Sequence, residues 1–210
     1  MAIERHRYGL KLKESVLMIE EVKKKLDAFL KMQIEINYSD YDLRRPCEED
    51  LVEIQNFKDE FISKDEKIIG GGPLAKLTPK EWLDYNKEME LTNDVNLCKT
   101  LQMGLFHRKT GVLIGLIQLR PQLKGYFEDF AGNIGYCIRP SERNKGFAKH
   151  MLKETLEICK ALKMEKVLLT CFEDNDYSQK IIESNGGIYE KTVFDNQKYN
   201  KSLKRYWIYI

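Results

Sequence analysis

The stretch Gly132–Leu152, GNIGYCIRPSERNKGFAKHML, runs from a short apolar strand pattern through a basic loop directly into an amphipathic helix pattern. The N-terminus of a helix has unpaired backbone N–H groups and roughly half a positive charge, so a loop there can bind a pyrophosphate. Gly146 lets an anion approach the backbone, Ala148 keeps the first helical turn narrow, and Arg143 and Lys145 add charge. The stretch therefore predicts a phosphate-binding loop between a strand and a helix.

The loop also carries a recognisable pattern, because Arg143–Ala148 spells Arg-x-x-Gly-x-Ala. This resembles motif A of the GNAT acetyltransferase superfamily, which binds the pyrophosphate of acetyl-coenzyme A (acetyl-CoA). The resemblance covers about residues 40 to 210 and extends to a bacterial subgroup of predicted acetyltransferases. It is carried by Leu119-Arg120, Gly135 to Arg143, Thr170-Cys171, Asn175, Ser178, Gly186-Gly187 and Arg205 to Ile208.

Hydrophobic periodicity and turn residues predict the element order helix, β, α, α, β, β, β, α, β, α, β, β, which is typical of an α/β sandwich. The resemblance implies the GNAT acyl-CoA N-acyltransferase fold, a mixed and mostly antiparallel sheet with splayed central strands between helices. Residues 1–39 are predicted as an N-terminal helical extension with a first extended segment, and residues 40–210 as the acetyltransferase domain. We expect the helix at about 10–32 either to pack on the same domain or to contact a partner, such as a second copy of the chain in a homodimer.

Composition excludes several classes of protein. The formal net charge is +2, with 35 basic and 33 acidic residues, so no excess of charge favours nucleic acid or a membrane surface as partner. The five cysteines are odd in number and widely spaced, which argues against disulfides and zinc and favours a cytoplasmic location. No apolar run approaches the roughly 20 residues that a membrane span needs. We expect a cytoplasmic protein that binds neither nucleic acid nor membrane.

The resemblance also implies which residues bind the cofactor. The pantetheine arm would pair with the strand at Tyr136, Cys137 and Ile138, because the family's fourth and fifth strands diverge there. The pyrophosphate would contact the loop and first helical turn, and Asn175 with Ser178 matches an element that contacts the pantetheine arm. The pyrophosphate set is Arg143, Asn144, Lys145, Gly146, Phe147, Ala148 and Lys149.

The groups that move protons are less clearly marked. Many family members have a tyrosine as general acid seven residues after the asparagine, but this chain has Ile182 there. Tyr206 and Tyr177 are alternative acids, and Glu128 and Asp129, in the loop before the fourth strand, are candidate bases.

Loops rich in polar and aromatic residues often bind substrate, and residues 121–131 form such a loop. The predicted substrate-binding residues are Arg120, Tyr126 and Asn133. The subgroup tends to have histidines after Leu-Arg and before Ile-Gly-Tyr, whereas this chain has Pro121 and Asn133.

Two functions follow from these observations. The first is an acetyl-CoA-dependent N-acetyltransferase, in which a primary amine of a small molecule or peptide attacks the thioester directly within a ternary complex. The second is a non-catalytic acyl-CoA sensor or interaction protein that uses the N-terminal helix as its contact. The phosphate-binding loop supports both functions, and the missing tyrosine and histidines favour the second.

Overall fold

The computed structural model describes residues 36–38, 40–94 and 97–210, so the predicted helix at about 10–32 lies outside the described residues. Short 3-10 helices lie at Glu48–Asp50 and Pro140–Glu142, and a π-helical turn lies at Phe127–Ala131. The strands and helices are β1 (Ile36–Tyr38), β2 (Tyr41–Arg44), α1 (Leu51–Ser63), α2 (Pro79–Leu91), β3 (Leu101–His107), β4 (Leu113–Leu119), β5 (Ile134–Ile138), α3 (Phe147–Ala161), β6 (Lys166–Phe172), α4 (Asp176–Glu183), β7 (Ile188–Asp195) and β8 (Lys201–Tyr209).

The described strands form one eight-stranded sheet in the order β1-β2-β3-β4-β5-β6-β8-β7. Neighbouring strands are antiparallel except for β5 and β6, which are parallel. A parallel pair needs a long crossover connection, and α3 forms it. This arrangement confirms the predicted mixed, mostly antiparallel α/β fold.

One face of the sheet is covered by α1, α2 and the glycine-rich loop between them. Trp82 of α2 is fully buried and donates its indole N–H to the carbonyl of Gly71 at 2.7 Å, which fixes the loop against the helix. Burial of this apolar surface is the main force that holds the helices on the sheet. The core on this face consists of Ile54, Phe57, Phe61, Ile68, Leu74, Trp82, Phe106, Leu113 and Leu116.

The opposite face carries α3, whose apolar stripe packs on β4 and β5. Gly115 makes room for this helix, because a Cβ added there would lie 3.3 Å from the methyl group of Met151. The amphipathic helix pattern is confirmed, since α3 buries one face, which consists of Met151, Leu152, Thr155, Leu156, Ile158 and Cys159.

The start of α2 follows from local sequence signals. Thr78 and Glu81 cap the helix, where each side chain accepts the other's backbone N–H, and Pro79 is the first helical residue. The described part of the expected first extended segment, Ile36–Tyr38, is strand β1, and it pairs antiparallel with β2.

Candidate functional site

A gap between β5 and β6 lies at the centre of the sheet. The two strands share one pair of aligned residues, Ile134 and Leu169, whereas β5 pairs with β4 along its whole length from Ile134 to Ile138. Residues 135–138 therefore have no strand partner on the β6 side. The predicted divergence of the central strands is present at this position.

The register of β4 and β5 decides which backbone groups face the gap. Arg120 donates its backbone N–H to Asn133, and Arg139 donates to Ile114, so every second pair in this ladder is hydrogen-bonded. Tyr136 and Ile138 belong to the other pairs, and their N–H and C=O groups point away from β4. An extended ligand could pair with these groups as an added strand does.

The loop before α3 brings further unpaired backbone donors close to one end of β5. Asn144 has φ 63° and Gly146 has φ 85°, so left-handed residues alternate with ordinary ones, and such a backbone forms an anion-binding concavity. No side chain caps α3, and an added Cβ on Gly146 would meet nothing within 4 Å. Among the described residues, no acceptor is bonded to the backbone N–H groups of residues 144–149.

The cationic side chains of this loop are engaged with the protein. The guanidinium of Arg143 forms an ion pair with Glu66, and its Nε–H donates to the carbonyl of Ile138 at 3.2 Å. Lys145 pairs with Glu142 at 2.8 Å. Both cations are therefore paired with carboxylates, and the backbone amides are the donors of this loop that have no partner among the described residues.

The predicted pantetheine contacts at the start of α4 lie opposite β5. Asn175 caps α4 by accepting the backbone N–H of Ser178 at 3.0 Å, and the Ser178 hydroxyl lies 3.0 Å from the Tyr136 hydroxyl. Burial raises the pKa of Tyr136 to about 12. Tyr136 thus connects β5 with α4 across the region where the sheet is open.

Cys137 points to the other face, where it packs against the core under α1. Burial raises the pKa of its thiol to about 12, so it is a protonated, unreactive group at neutral pH. In the same register the backbone N–H and C=O of Cys137 face Leu116 of β4, so neither its thiol nor its backbone polar groups face the gap, and its contact with the cofactor stays a prediction.

Tyr206 lies on β8 next to Leu169, the residue of β6 that touches β5. Its hydroxyl lies 3.5 Å from Oε1 of Gln179 on α4, and burial raises its pKa to about 12. The phenol is buried and stays protonated at neutral pH, as a proton donor must be. The alternative acid, Tyr177, is 75 % exposed.

Glu128 and Asp129, the candidate bases, lie in the π-helical turn with exposed side chains. Their backbone carbonyls accept hydrogen bonds from Nη1 of Arg205, at 2.8 and 2.5 Å. Arg205 itself is paired with Glu190 at 2.7 Å. The turn is thus fixed to β8, and both carboxylates remain accessible to solvent.

Two of the predicted substrate-binding residues hold the protein together. The Asn133 side chain donates to the carbonyl of Arg120 at 2.8 Å and accepts the N–H of Leu168 at 2.7 Å, so it joins β4 to β6 where the gap begins. Tyr126 donates to the fully buried carboxylate of Asp195 at 2.6 Å and closes its loop onto the end of β7. Their contact with substrate stays a prediction.

The third, Arg120, is buried beside Gly135 at the start of the gap. Nη2 donates to Oε1 of Gln118 at 2.8 Å, Nη1 donates to the carbonyl of Gly132 at 3.3 Å, and the Phe127 ring stacks 4.4 Å away. Gln118 was not predicted as a site residue. The sequence nevertheless marks it, because Gln118 is a polar residue within the otherwise apolar strand β4.

The glycine-rich loop of residues 70–72 contributes a further contact that the sequence did not reveal. Gly70, with φ 77°, lies so close to β5 that an added Cβ would stand 2.6 Å from Cα of Tyr136. Gln102 donates to the carbonyl of Gly70 at 3.1 Å and holds the loop in place. This loop therefore forms one wall beside the gap.

Within the described ranges no group of His, Cys, Asp and Glu side chains has the arrangement of a metal site. The same part of the chain contains no helix long and apolar enough to cross a bilayer.

The family profile described as acetyltransferase (GNAT) domain matches residues 42–188, which is well over half of the chain. Among curated proteins, none matches.

Solved structures share the fold at low sequence identity. The ribosomal-protein-S5-alanine acetyltransferase from Vibrio fischeri has a TM-score of 0.65 and 15% identity, over 84% of this chain and 97% of that one. RimL, a ribosomal L7/L12 alpha-N-protein acetyltransferase in complex with coenzyme A, has a TM-score of 0.63 and 13% identity, over 82% and 96%. A spermidine N-acetyltransferase SpeG chimera from Vibrio cholerae and hSSAT has a TM-score of 0.59 and 20% identity, over 81% and 96%.

Proposed function

Because the chain belongs to the GNAT acetyltransferase family, we propose that it transfers the acetyl group of acetyl-CoA to a primary amine of a small molecule or peptide. Residues 40–210 form the catalytic domain in this proposal. The amine attacks the thioester directly while both substrates are bound. No covalent intermediate on the protein is required.

One observation carries the proposal: two sets of unpaired backbone amides lie at adjacent positions on the same side of β5. The amides of residues 144–149 suit a pyrophosphate, and the gap-facing N–H and C=O of Tyr136 with the N–H of Ile138 suit the amide-containing pantetheine arm. Gly146 leaves open space where the phosphates would lie. Asn175 and Ser178 line the opposite side of the gap.

The bound thioester supplies an activated acetyl group. The chain supplies a positioned hydrogen-bond donor, because a backbone N–H on β5 such as that of Tyr136 can stabilise the negative charge on the carbonyl oxygen in the transition state. Such a donor is part of a strand paired with β4, so its position is fixed before the reaction begins. Orientation by the two binding sites lowers the entropic cost of bringing amine and thioester together.

Proton transfer involves two groups in this proposal. Glu128 or Asp129, directly or through water, accepts the proton that the amine loses. Tyr206 donates a proton to the departing thiolate, and its raised pKa of about 12 keeps the phenol protonated over the neutral range. Ile182 is fully buried and cannot replace the tyrosine that many family members have on this helix.

The acceptor is an amine in this proposal because two of the neighbours in fold are named for transfer to nitrogen. One is named an alpha-N-protein acetyltransferase and one a spermidine N-acetyltransferase, while the third is named a ribosomal-protein-S5-alanine acetyltransferase. A likeness at 13–20% identity shows the fold alone, so these names do not select the acceptor of this chain among small molecules and peptides.

The experiment is a measurement of thiol release from acetyl-CoA in the presence of a panel of polyamines, amino acids, aminoglycosides and peptide N-termini. We expect at least one class to raise thiol release tenfold or more above the rate without amine. If acetyl-CoA binds but no amine raises the rate, the transferase proposal fails and the alternative of a non-catalytic acyl-CoA sensor replaces it.

A further inference from the structure

Arg120 differs from the other buried arginines in the described part of the chain. Arg139 is paired with Glu53 and Glu60, and Arg205 is paired with Glu190. Arg120 is 7 % exposed and contacts no carboxylate among the described residues, and its acceptors are the neutral oxygens of Gln118 and Gly132. A buried charge without an opposite charge is costly, so its retention needs a reason.

The guanidinium has donors left over. It has five N–H groups, and the hydrogen bonds to Gln118 and Gly132 use one on each terminal nitrogen. Within the described residues, the others have no acceptor. Phe127 covers the face of the guanidinium and leaves its edges, where the N–H groups point, for a planar anion.

Burial lowers the pKa of Arg120 to about 10, so the group remains positively charged at neutral pH. Burial raises the pKa of the nearby Cys98 thiol and of the nearby Tyr85 phenol, so neither side chain carries a negative charge at neutral pH. Among the described residues, no carboxylate pairs with this positive charge.

The location of this charge connects it with the reaction. A Cβ added to Gly135 would lie 3.9 Å from Nη1 of Arg120, and Gly135 is the first residue of β5 beyond the last contact with β6. Gly135 faces the glycine-rich loop, whereas Tyr136 and Ser178 lie on the α4 side of the sheet. Arg120 therefore stands on the side of the gap opposite to the proposed pantetheine contacts.

We propose that Arg120 binds a carboxylate of the acceptor, and that the acceptor class is amino acids and related small molecules that carry a carboxylate near a primary amine. This inference rests on the proposed function. The guanidinium binds both carboxylate oxygens and orients the amine toward the thioester. In the reaction an N–C bond forms, the C–S bond breaks, and the ammonium form of the substrate yields the N-acetyl product, coenzyme A thiol and one proton.

The test compares amino acids with their amides, which are matched in shape and differ in charge. Thiol release with acetyl-CoA gives kcat/KM for each member of the common amino acids and for the corresponding amino acid amide. We expect the acid to be preferred over its amide by at least tenfold for the best substrate. Equal rates, or a preference for the amide, would overturn the inference while leaving the transferase proposal intact.

Two variants separate substrate binding from a structural role. Arg120→Met should abolish the preference for the acid over its amide, mainly because KM for the acid rises. Arg120→Lys should retain part of the preference because the positive charge remains. Acetyl-CoA binding should be unchanged in both. If Arg120→Met lowers kcat/KM for acid and amide by the same factor, Arg120 acts only through the fold and the inference is wrong.

A binding measurement keeps the inference testable if no amine is acetylated. N-acetylglycine and N-acetylglycinamide are titrated into the protein saturated with coenzyme A. We expect the carboxylate to bind to the wild type at least tenfold more tightly than the amide, and the difference to vanish in Arg120→Met. Absence of binding by N-acetylglycine together with absence of any acid preference in turnover would overturn the proposal.

Discussion

The close contact between Gly70 and β5 gives a quantitative prediction. Gly70 has φ 77°, a conformation that costs an L-residue about 1–2 kcal/mol. In Gly70→Ala the new Cβ would also collide with the backbone of Gly135 and would stand 2.6 Å from Cα of Tyr136. Backbone atoms within a paired strand cannot move aside as a flexible side chain can, so overpacking adds about 1–3 kcal/mol. The total loss of stability is about 2–5 kcal/mol.

Two control variants isolate the two contributions. Gly125 has φ 52° and nothing within 4 Å of an added Cβ, so Gly125→Ala should cost only the conformational strain of about 1–2 kcal/mol. Gly135 faces Gly70, but its φ lies outside the left-handed region and its added Cβ would be 3.6 Å from Cα of Gly70, an ordinary contact. Gly135→Ala should therefore change stability by less than about 1 kcal/mol.

The assay is urea unfolding of the three variants and the wild type, followed by circular dichroism. We expect Gly135→Ala to be the most stable of the three variants, Gly125→Ala to be intermediate, and Gly70→Ala to be the least stable. For a protein of this size, the difference of about 1–3 kcal/mol between the last two corresponds to roughly 2–12 °C in Tm. If Gly70→Ala is as stable as Gly125→Ala, the loop does not lie against β5 as described, and the wall beside the gap is wrongly placed.

Two further predictions concern proton transfer and acid stability. Tyr206→Phe removes the proposed general acid, so it should lower kcat about 10²-fold or more and leave the affinity for acetyl-CoA unchanged. The matched control is Tyr189→Phe, a half-exposed tyrosine beside Tyr206, which should keep full activity. A fully active Tyr206→Phe would show that Tyr206 is not the acid. Asp195 is fully buried, and although burial raises its pKa, the hydrogen bonds from Tyr126 and from backbone amides lower it overall, below its usual range. Because the pKa of Asp195 is lower in the folded state, its carboxylate stabilises the protein at pH values above the unfolded pKa of about 3.9, and this stabilisation is lost as the pH falls below that value. Between pH 7 and pH 3 the free energy of unfolding, measured with urea, should therefore fall more steeply in the wild type than in Asp195→Asn. An equal fall in both proteins would contradict this prediction.

Much of the fold follows from local patterns in the sequence. The periodicity of α3, the cap at Thr78 and Pro79, and the apolar run of β6 each report directly on the conformation of their own segment. The end of α4 is another case, because Gly186 adopts φ 89° and the N–H of Gly187 returns to the carbonyl of Ile182 at 2.9 Å. Such signals depend on residues close in the chain.

The site was predicted less completely, because its geometry depends on contacts between distant segments. The pairing of Arg143 with Glu66 joins residues far apart in sequence, and nothing in the loop itself indicates that its charge is neutralised. Likewise, Asn133 and Tyr126 were predicted to bind substrate, but their polar atoms are bonded to Leu168 and Asp195. A sequence identifies polar residues near a site, whereas their partners depend on tertiary structure.

The account depends most on the claim that the loop before α3 binds the pyrophosphate of acetyl-CoA through its backbone amides. The direct measurement is a calorimetric titration of acetyl-CoA into the wild type, Gly146→Asp and Gly125→Asp. The two variants add the same charge at glycines with positive φ and open surroundings. We predict binding to the wild type and to Gly125→Asp with similar Kd, and no detectable binding to Gly146→Asp. Folded Gly146→Asp that binds as the wild type does, or a wild type that takes up no acetyl-CoA, would contradict the account.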